Sequence, residues 1–341
     1  MVDNYQLVVR VEDLKTYFFL HEGTAKAVDG VSFDLYRGRT LGVIGESGCG
    51  KSVTSQSIMR LVPSPPGKIV EGAIWLYKYN DQNKLQETIE LVQLKEDSQQ
   101  LRKLRWKEIA MIFQEPMTSM SPVHTVHDQI DEALMLHLPG ITKAESRERT
   151  IQLLRRVGIP QADKMVDAYS YQLSGGMRQR AMIAMALSCN PNLLIADEPT
   201  TALDVTVESQ ILELIRELQA EYNMGIMYIS HDLAVVAEMS DDIMVMYLGQ
   251  AVEKASTDEI FDNPLHPYTQ ALWRSIPSID GKLDRLEAIK GVIPSPYYQH
   301  AGCRFYERCV KRIADKCDVT PPELVEVSPG HFVRCLLYGG A

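Results

Sequence analysis

Residues 40–52 read Thr-Leu-Gly-Val-Ile-Gly-Glu-Ser-Gly-Cys-Gly-Lys-Ser. A short apolar run breaks into a glycine-rich turn and ends on Lys51-Ser52. The next residues, VTSQSIMRLV (53–62), carry a helical pattern. Residues 45–52 fit G-x-x-x-x-G-K-[ST], and the strand-before, helix-after setting is the one in which that pattern has a mechanism. Glycines let backbone N–H groups close around phosphates, and a helix N-terminus adds a favourable dipole. Gly45, Ser47, Gly48, Cys49, Gly50 and Val53 are the candidate framing contacts. Lys51 is placed to reach the β- and γ-phosphates, and the Ser52 hydroxyl to ligate Mg²⁺. Cys49 invites a redox-switch reading, because helix N-termini lower thiol pKa values. The plainer reading, preferred here, uses only its backbone N–H.

Downstream, LLIAD (193–197) is a buried-strand pattern that ends in two carboxylates, Asp197 and Glu198. In a phosphate-loop protein the first carboxylate holds Mg²⁺ and the second is positioned to polarise water. The chemistry is then hydrolysis rather than transfer to a substrate hydroxyl.

Outward from these two strands the chain alternates strand and helix. QLVVRVEDL (6–14), AVDGVSFDLY (27–36), GAIWLYKY (72–79), KEIAMIFQ (107–114), GIMYISHD (225–232) and DDIMVMYLGQAVEKA (241–255) read as strands. From about 115 to 188 the pattern is helical, and ESQILELIRELQAEY (208–222) is an amphipathic helix. Alternation of this kind argues an α/β core with a mostly parallel sheet. Near residue 263 the composition turns rich in proline and tyrosine, which sets a boundary near 260–265: residues 1–262 as one domain, 263–341 as a second.

The 341 residues carry 35 basic and 45 acidic side chains, a net charge of -10. Bulk electrostatic binding to nucleic acid or anionic lipid is disfavoured. No stretch is long and apolar enough for a transmembrane helix, and the N-terminus lacks a secretory pattern. A cytosolic setting follows as the expectation, with the six cysteines as thiols or metal ligands rather than disulfides.

Six motifs then fall in the order that marks ATP-binding-cassette (ABC) ATPases, and residues 5–260 resemble that family. Besides the phosphate loop and acidic strand, Leu173-Ser174-Gly175-Gly176-Met177-Arg178-Gln179 resembles the family signature. Gln114 resembles its Q-loop, Thr201-Ala202-Leu203-Asp204 its D-loop, and His231 its switch histidine. Met177 departs from the commoner glutamine, which puts only that side chain's contacts in doubt. The resemblance implies an α/β P-loop NTPase cassette: a RecA-like mixed sheet core, an N-terminal antiparallel β-subdomain and a helical subdomain at about 115–175. It implies ATP and Mg²⁺ as cofactors, with Gln114 joining Ser52 and Asp197 at the metal, and His231 contacting the γ-phosphate. An aromatic of Tyr17-Phe18-Phe19, best aligned as Phe18, would stack on adenine. Ser174, Gly175 and Gly176 open a helix whose N-terminus is a second anion site. In the family that site, with Asp204 nearby, caps the ATP of a second ATPase subunit, a copy of this chain or a different one. Arg178 and Arg180 read as structural or partner-facing. The segment EPMTSMSPVHTVHDQIDEAL (115–134) is a candidate contact for a membrane permease subunit, although its apolar residues could equally be core.

Four of the six cysteines lie in the last 39 residues, spaced C-x5-C-x7-C-x17-C as Cys303, Cys309, Cys317 and Cys335. This is not a C-x2-C zinc pattern, yet four clustered thiols favour a soft metal. Unligated thiols or a disulfide remain open on chemistry alone. Cys189 reads as core. The stretches NPLHPYTQALWRSIP and GVIPSPYYQHAGCRFYERC resemble the C-terminal extension of oligopeptide and dipeptide permease ATPases, shared by nickel-permease ATPases, as a small irregular domain. That resemblance implies a [4Fe–4S] cluster on the four cysteines, with Zn²⁺ as the alternative. It implies a peptide importer ATPase, peripheral on the cytoplasmic side of the membrane. Its partners would be two permease subunits and, indirectly, an extracellular peptide-binding protein. Nickel or another solute is the alternative cargo. A soluble ABC-type ATPase acting on ribosomes or DNA is the reading from another class, disfavoured by the single cassette and the negative charge.

Overall fold

The computed structural model describes residues 5–80, 82–114, 120–201, 203–275, 289, 291–295, 297 and 301–339. The first half runs β1 (Leu7–Leu20), β2 (Gly23–Tyr36), β3 (Thr40–Ile44), α1 (Lys51–Ile58), β4 (Gly67–Tyr79), β5 (Leu85–Glu90), α2 (Gln99–Leu104) and β6 (Ile109–Ile112). There follow α3 (Val126–His137), α4 (Lys143–Arg156), α5 (Ala162–Met165), α6 (Gly175–Leu187), β7 (Leu193–Asp197), α7 (Val205–Tyr222) and β8 (Gly225–Ile229). The chain continues through α8 (Leu233–Met239), β9 (Asp242–Tyr247), β10 (Gln250–Ser256), α9 (Thr257–Asp262), α10 (Pro267–Arg274), β11 (Val325–Ser328) and β12 (His331–Val333). Two compact units share these elements: Met1–Val9, Asp34–Thr40 and Trp75–Ile229 in one; Arg10–Phe33, Leu41–Ile74 and Ser230–Ala341 in the other.

In the first unit β6, β7 and β8 pair in parallel, with Ile112 opposite Ala196 and Ala196 opposite Tyr228. Every residue of these three strands is buried. That is why they read as unbroken apolar runs: a parallel strand covered on both faces has no polar side to alternate with. The strands therefore deliver Asp197 and Glu198 to a carboxyl end, where an α/β sheet presents its ligand crevice.

Helices α3, α4 and α6 pack on one another. Both α3 and α4 start at complete capping boxes, Thr125 with Asp128 and Thr142 with Glu145. Each box satisfies two backbone N–H groups that the helix start would leave unpaired. Their inner faces bury Val126, Ile130 and Leu134 on α3 and Ile151 and Leu154 on α4. Each such side chain stabilises the unit by about 1.5–3 kcal/mol relative to exposure. Arg149, midway along α4, donates to the Ser188 carbonyl at the end of α6, through Nη2 at 2.8 Å, and ties the two helices together.

In the second unit β3 runs parallel to β9, and β9, β10, β12 and β11 continue as antiparallel neighbours. Residues 241–255 were expected as one strand and are two. Leu248 and Gly249 turn the chain at φ 44° and 80°, the two positive values a tight hairpin needs. A side chain at Gly249 would meet the carbonyls of Lys26 and Ala27 at 2.7 and 2.9 Å, so only glycine fits. The tail is also less irregular than expected. β12 pairs with β10, Glu253 opposite Val333, and carries β11 with it. Glu253 anchors that junction with no solvent exposure. Its carboxylate accepts the N–H groups of Leu265 at 2.7 Å and His266 at 2.9 Å and pairs with His331 Nε2 at 2.8 Å.

Candidate functional site

The second unit holds the phosphate loop. All of β3 is buried, and the loop leaves it at Gly45, whose φ is 151°. A Cβ there would meet the Met246 carbonyl at 2.2 Å, and one at Gly50, with φ 106°, would meet the Ala27 carbonyl at 2.2 Å. The loop is thus pressed against backbone on one side, while a Cβ at Gly48 (φ 79°) would meet nothing within 4 Å. Gly50 caps α1 without a side-chain bond, and no acidic residue occupies the first turn. Such a helix start offers its N–H groups to an anion. Lys51 is 6% exposed, and its Nζ donates to the carbonyls of Gly45 at 2.7 Å and Glu46 at 3.3 Å. Ser52 and Val53 are half-buried in the first turn.

Cys49 is buried, and that burial pushes its thiol above the ordinary range although Lys51 pulls it down. The redox-switch reading loses its physical basis here, since a reactive thiol needs a lowered pKa and access. Near the aromatic cluster, Tyr17 donates its hydroxyl to Asp29. A Cβ on Gly67 would meet the Phe18 ring at 2.9 Å, so that ring packs flush on the glycine, while Phe19 is 53% exposed. His231 follows β8 on an exposed position.

Glu46, an unassigned position of the motif, is bonded through both its carboxylate and its backbone. Its carboxylate takes both arms of Arg308, at 2.6 and 2.9 Å, and its N–H donates to the Tyr268 hydroxyl at 2.9 Å. Sequence reading missed the pairing of Glu46 with Arg308. The one available signal was an acidic residue inside an anion-binding loop, which demands a counter-charge.

The first unit holds the acidic strand. Asp197 ends β7 at 3% exposure. Glu198 lies in the left-handed region at φ 47°, and its N–H donates to the Ile229 carbonyl at 2.9 Å. Its carboxylate accepts from Gln114 Nε2 at 2.8 Å and Thr201 Oγ1 at 3.1 Å. Two residues read separately from sequence are therefore in direct contact.

Ser174 is the N-cap of α6, accepting the Met177 N–H at 3.3 Å. Gly175 opens to free space, whereas a Cβ at Gly176 would meet Val207 at 3.0 Å. The first glycine leaves the helix start accessible and the second permits close packing against α7. Asp204 caps α7 by accepting the Val207 N–H at 3.0 Å. Arg178 donates to the Ser170 carbonyl at 2.6 Å and Arg180 to the Val157 carbonyl at 2.5 Å, which makes both structural in this unit. Gln179, not singled out from sequence, is 1% exposed and donates to the Pro199 carbonyl. Ala202 of the D-loop lies outside the described residues, as do 115–119 of the candidate permease contact. Of the remainder of that contact, Met120, Val126, Ile130 and Leu134 are core, and Val123 is 73% exposed. Cys189 is buried, as expected.

Cys303, Cys309, Cys317 and Cys335 are free thiols, two of them buried and two half-buried. Burial pushes Cys303 up to about 12, and the other three sulfurs push it further in the same direction. Burial likewise raises Cys309 and Cys335. The Cys303 N–H donates to the Cys317 carbonyl at 2.7 Å. The sulfurs are close enough to act on one another, yet among the described residues no three His, Cys, Asp or Glu side chains are arranged to hold a metal. No described helix is long and apolar enough to cross a membrane.

Residues 28–201 match the family model described as ABC transporter, and residues 252–317 match that of the oligopeptide/dipeptide transporter C-terminal region. The chain is 50% identical over 331 residues to the oligopeptide transport ATP-binding protein AppD of Bacillus subtilis, covering 97% of each. It is 44% identical to the dipeptide transport ATP-binding protein DppD of the same organism, covering 97% of this chain and 94% of that one. Among solved structures, the ATP-binding cassette MJ0796, a dimer in a post-hydrolysis state with ADP and Pi, is similar at TM-score 0.62 and 26% identity, over 73% of this chain and 98% of that chain. The cbiO1 protein of Clostridium perfringens is similar at TM-score 0.59 and 26% identity, over 76% and 92%.

Proposed function

This chain belongs to the ABC transporter ATP-binding family, and from that membership we propose that it is the ATP-hydrolysing subunit of an importer of dipeptides or oligopeptides. One observation carries the reading: a single chain joins an ABC transporter match over residues 28–201 to an oligopeptide/dipeptide transporter C-terminal match over 252–317, and is 50% identical over 97% of its length to an oligopeptide transport ATP-binding protein.

Residues 1–262 form the nucleotide-binding cassette, with a helical subdomain near 115–175, and 263–341 the transporter-specific extension. Lys51 and the backbone N–H groups of Gly45, Ser47, Gly48, Cys49, Gly50, Ser52 and Val53 bind the phosphates of ATP, and Phe18 stacks on adenine. Ser52, Gln114 and Asp197 hold Mg²⁺. Glu198 polarises the attacking water, and its bond to Gln114 supports that role because it aims the carboxylate. His231 contacts the γ-phosphate. Ser174, Gly175, Gly176 and Asp204 complete the site of a second ATPase subunit, supported by the accessible start of α6. ATP binding closes the pair, and hydrolysis reopens it and resets two membrane permease subunits. The chain itself sits peripherally on the cytoplasmic face of the membrane, and an extracellular peptide-binding protein delivers the cargo.

The four tail cysteines ligate a [4Fe–4S] cluster, or Zn²⁺ in its place. Four thiols within 33 residues, two buried and two half-buried, support a soft metal, although as placed they are not gathered around one. When bound, the metal supplies charge that offsets the thiolates and cross-links the tail.

A deletion strain grown on peptides as the source of a required amino acid tests the cargo. Failure on peptides with rescue by the free amino acid supports the reading. Normal growth on peptides with lost nickel accumulation replaces the cargo and keeps the ATPase. Iron, zinc and acid-labile sulfide per chain, measured on protein purified without oxygen, test the metal. About four irons with matching sulfide are expected, and a metal-free chain sinks that part.

A further inference from the structure

Glu46 places a carboxylate in the loop that receives the phosphates of ATP. Left alone, that charge would repel the ligand, most strongly where water is excluded. The tail supplies the answer. Arg308 Nη1 lies 2.6 Å from Glu46 Oε2, and Nη2 lies 2.9 Å from Oε1. This is the two-pronged geometry that only a guanidinium gives a carboxylate. The pair is well sheltered: the Arg308 side chain is 4% exposed and that of Glu46 is 23% exposed. Arg308 also donates to the Tyr247 hydroxyl at 3.3 Å, and its guanidinium lies 5.7 Å from the Tyr247 ring centre and 5.9 Å from that of Phe305.

The other polar atoms of Glu46 are engaged as well. Its N–H donates to the Tyr268 hydroxyl, and its carbonyl accepts from the Cys49 N–H at 3.2 Å and from Lys51 Nζ. The loop backbone and the Lys51 ammonium are therefore referenced to a residue whose side chain the tail holds. A second tie runs from the same short segment. Arg304 donates to Asp29 and to the Leu248 carbonyl. Asp29 accepts the Tyr17 hydroxyl, and its N–H donates to the Gly249 carbonyl at 2.7 Å. Gly249 in turn donates to the Cys49 carbonyl at 2.8 Å, which returns to the loop. Both arginines stand beside tail cysteines, Arg304 after Cys303 and Arg308 before Cys309.

We infer that Arg308 is a positioning residue for nucleotide binding: it neutralises and fixes Glu46, and so makes the ATP affinity of the phosphate loop depend on the cysteine-bearing tail. This rests on the reading that the loop binds ATP. Linkage is reciprocal, so bound nucleotide holds the tail segment in place by the same amount that the tail favours the nucleotide.

The test uses the purified full chain, with equilibrium binding of Mg-ADP and steady-state ATP hydrolysis for the parent, Arg308→Gln, Glu46→Gln and the double variant. Arg308→Gln leaves an unpaired carboxylate in the phosphate loop, and the dissociation constant and KM rise about tenfold while kcat at saturating ATP changes less than threefold. Glu46→Gln removes the repelling charge, and its dissociation constant stays well below that of Arg308→Gln. The double variant recovers to the range of Glu46→Gln, because Arg308 is needed only while Glu46 is charged. A merely structural arginine gives the opposite result, a double variant as weak as Arg308→Gln alone, and that outcome overturns the inference. Arg308→Lys keeps the charge and stem should the glutamine variant not fold, and it weakens binding about threefold through loss of the second prong. Binding equal to the parent in both Arg308 variants also overturns the inference. A parent chain that binds no nucleotide removes the ATP reading itself, which is a different failure and is seen before any variant is made.

Discussion

Gln114 Nε2 donates to Glu198 Oε2 at 2.8 Å, across 84 residues of sequence. The bond matters because Glu198 is held in a costly conformation. Its φ of 47° lies in the left-handed region, which costs a residue with a Cβ about 1–2 kcal/mol. Strain of that kind persists only where surroundings over-determine it. Here the surroundings are Gln114, Thr201 Oγ1 at 3.1 Å and the backbone bond from the Glu198 N–H to Ile229. The carboxylate is aimed before any substrate arrives.

Glu198→Gln removes the basic oxygen and keeps the shape. Turnover is expected to fall about 10²–10⁴-fold, the usual worth of a general base. ATP binding is retained, so the variant accumulates as an ATP-loaded pair on size exclusion. Turnover within tenfold of the parent would remove Glu198 from its assigned role.

Gln179 joins the helix behind the signature to the loop behind the acidic strand, through the Pro199 carbonyl. Gln179→Met fills similar space without a donor and leaves that carbonyl without this partner in a buried position. The expected loss is about 1–3 kcal/mol of unfolding free energy, read by urea denaturation. Turnover falls as well, because Glu198 directly precedes Pro199. Stability unchanged within 0.5 kcal/mol would show that the carbonyl is satisfied elsewhere.

The two strand-end motifs were legible because their chemistry is local. A glycine-rich loop and two adjacent carboxylates announce themselves within a dozen residues. Buried parallel strands such as LLIAD and GIMYI were equally plain, since nothing in them alternates. The hairpin at Leu248-Gly249 was not, because one glycine in a long apolar run gives no sign that backbone from residues 26 and 27 presses on it. The pairing of Arg308 with Glu46 was invisible for the same reason: the two lie 262 residues apart. Long-range ion pairs and close approaches are properties of packing, and a single sequence carries them only as an unexplained charge or glycine.

The loop glycines separate two costs. Gly50→Ala places a Cβ at 2.2 Å from the Ala27 carbonyl, an immovable backbone atom, at φ 106°. Gly48→Ala meets nothing within 4 Å and bears only the backbone strain of φ 79°, about 1–2 kcal/mol. Gly50→Ala is therefore expected to lose clearly more stability than Gly48→Ala in thermal melts of the nucleotide-free chain. Equal melting temperatures would mean that the loop relaxes away from Ala27 at little cost.

His266 predicts an acid sensitivity centred on the tail. It caps α10 through Nδ1, which accepts the Tyr268 N–H at 3.0 Å, so the ring is neutral there with its proton on Nε2. It is 1% exposed, and burial lowers its pKa from 6.5 to about 3, against a smaller opposing effect from a bond with the Arg334 backbone. The folded state thus refuses a proton that the unfolded state accepts below 6.5. The resulting stability is fully present above 6.5 and is lost as the pH falls from 6.5 towards 3, by at most about 1.4 kcal/mol per pH unit. Between pH 7 and pH 5 the loss amounts to about 2 kcal/mol. His266→Asn retains a capping side chain and cannot titrate. Urea unfolding of both proteins at pH 7 and pH 5 checks the argument: the parent should lose about 2 kcal/mol more than the variant. An equal loss in both would place the acid sensitivity on other groups and show that the neutral imidazole at the start of α10 is not what acid disrupts.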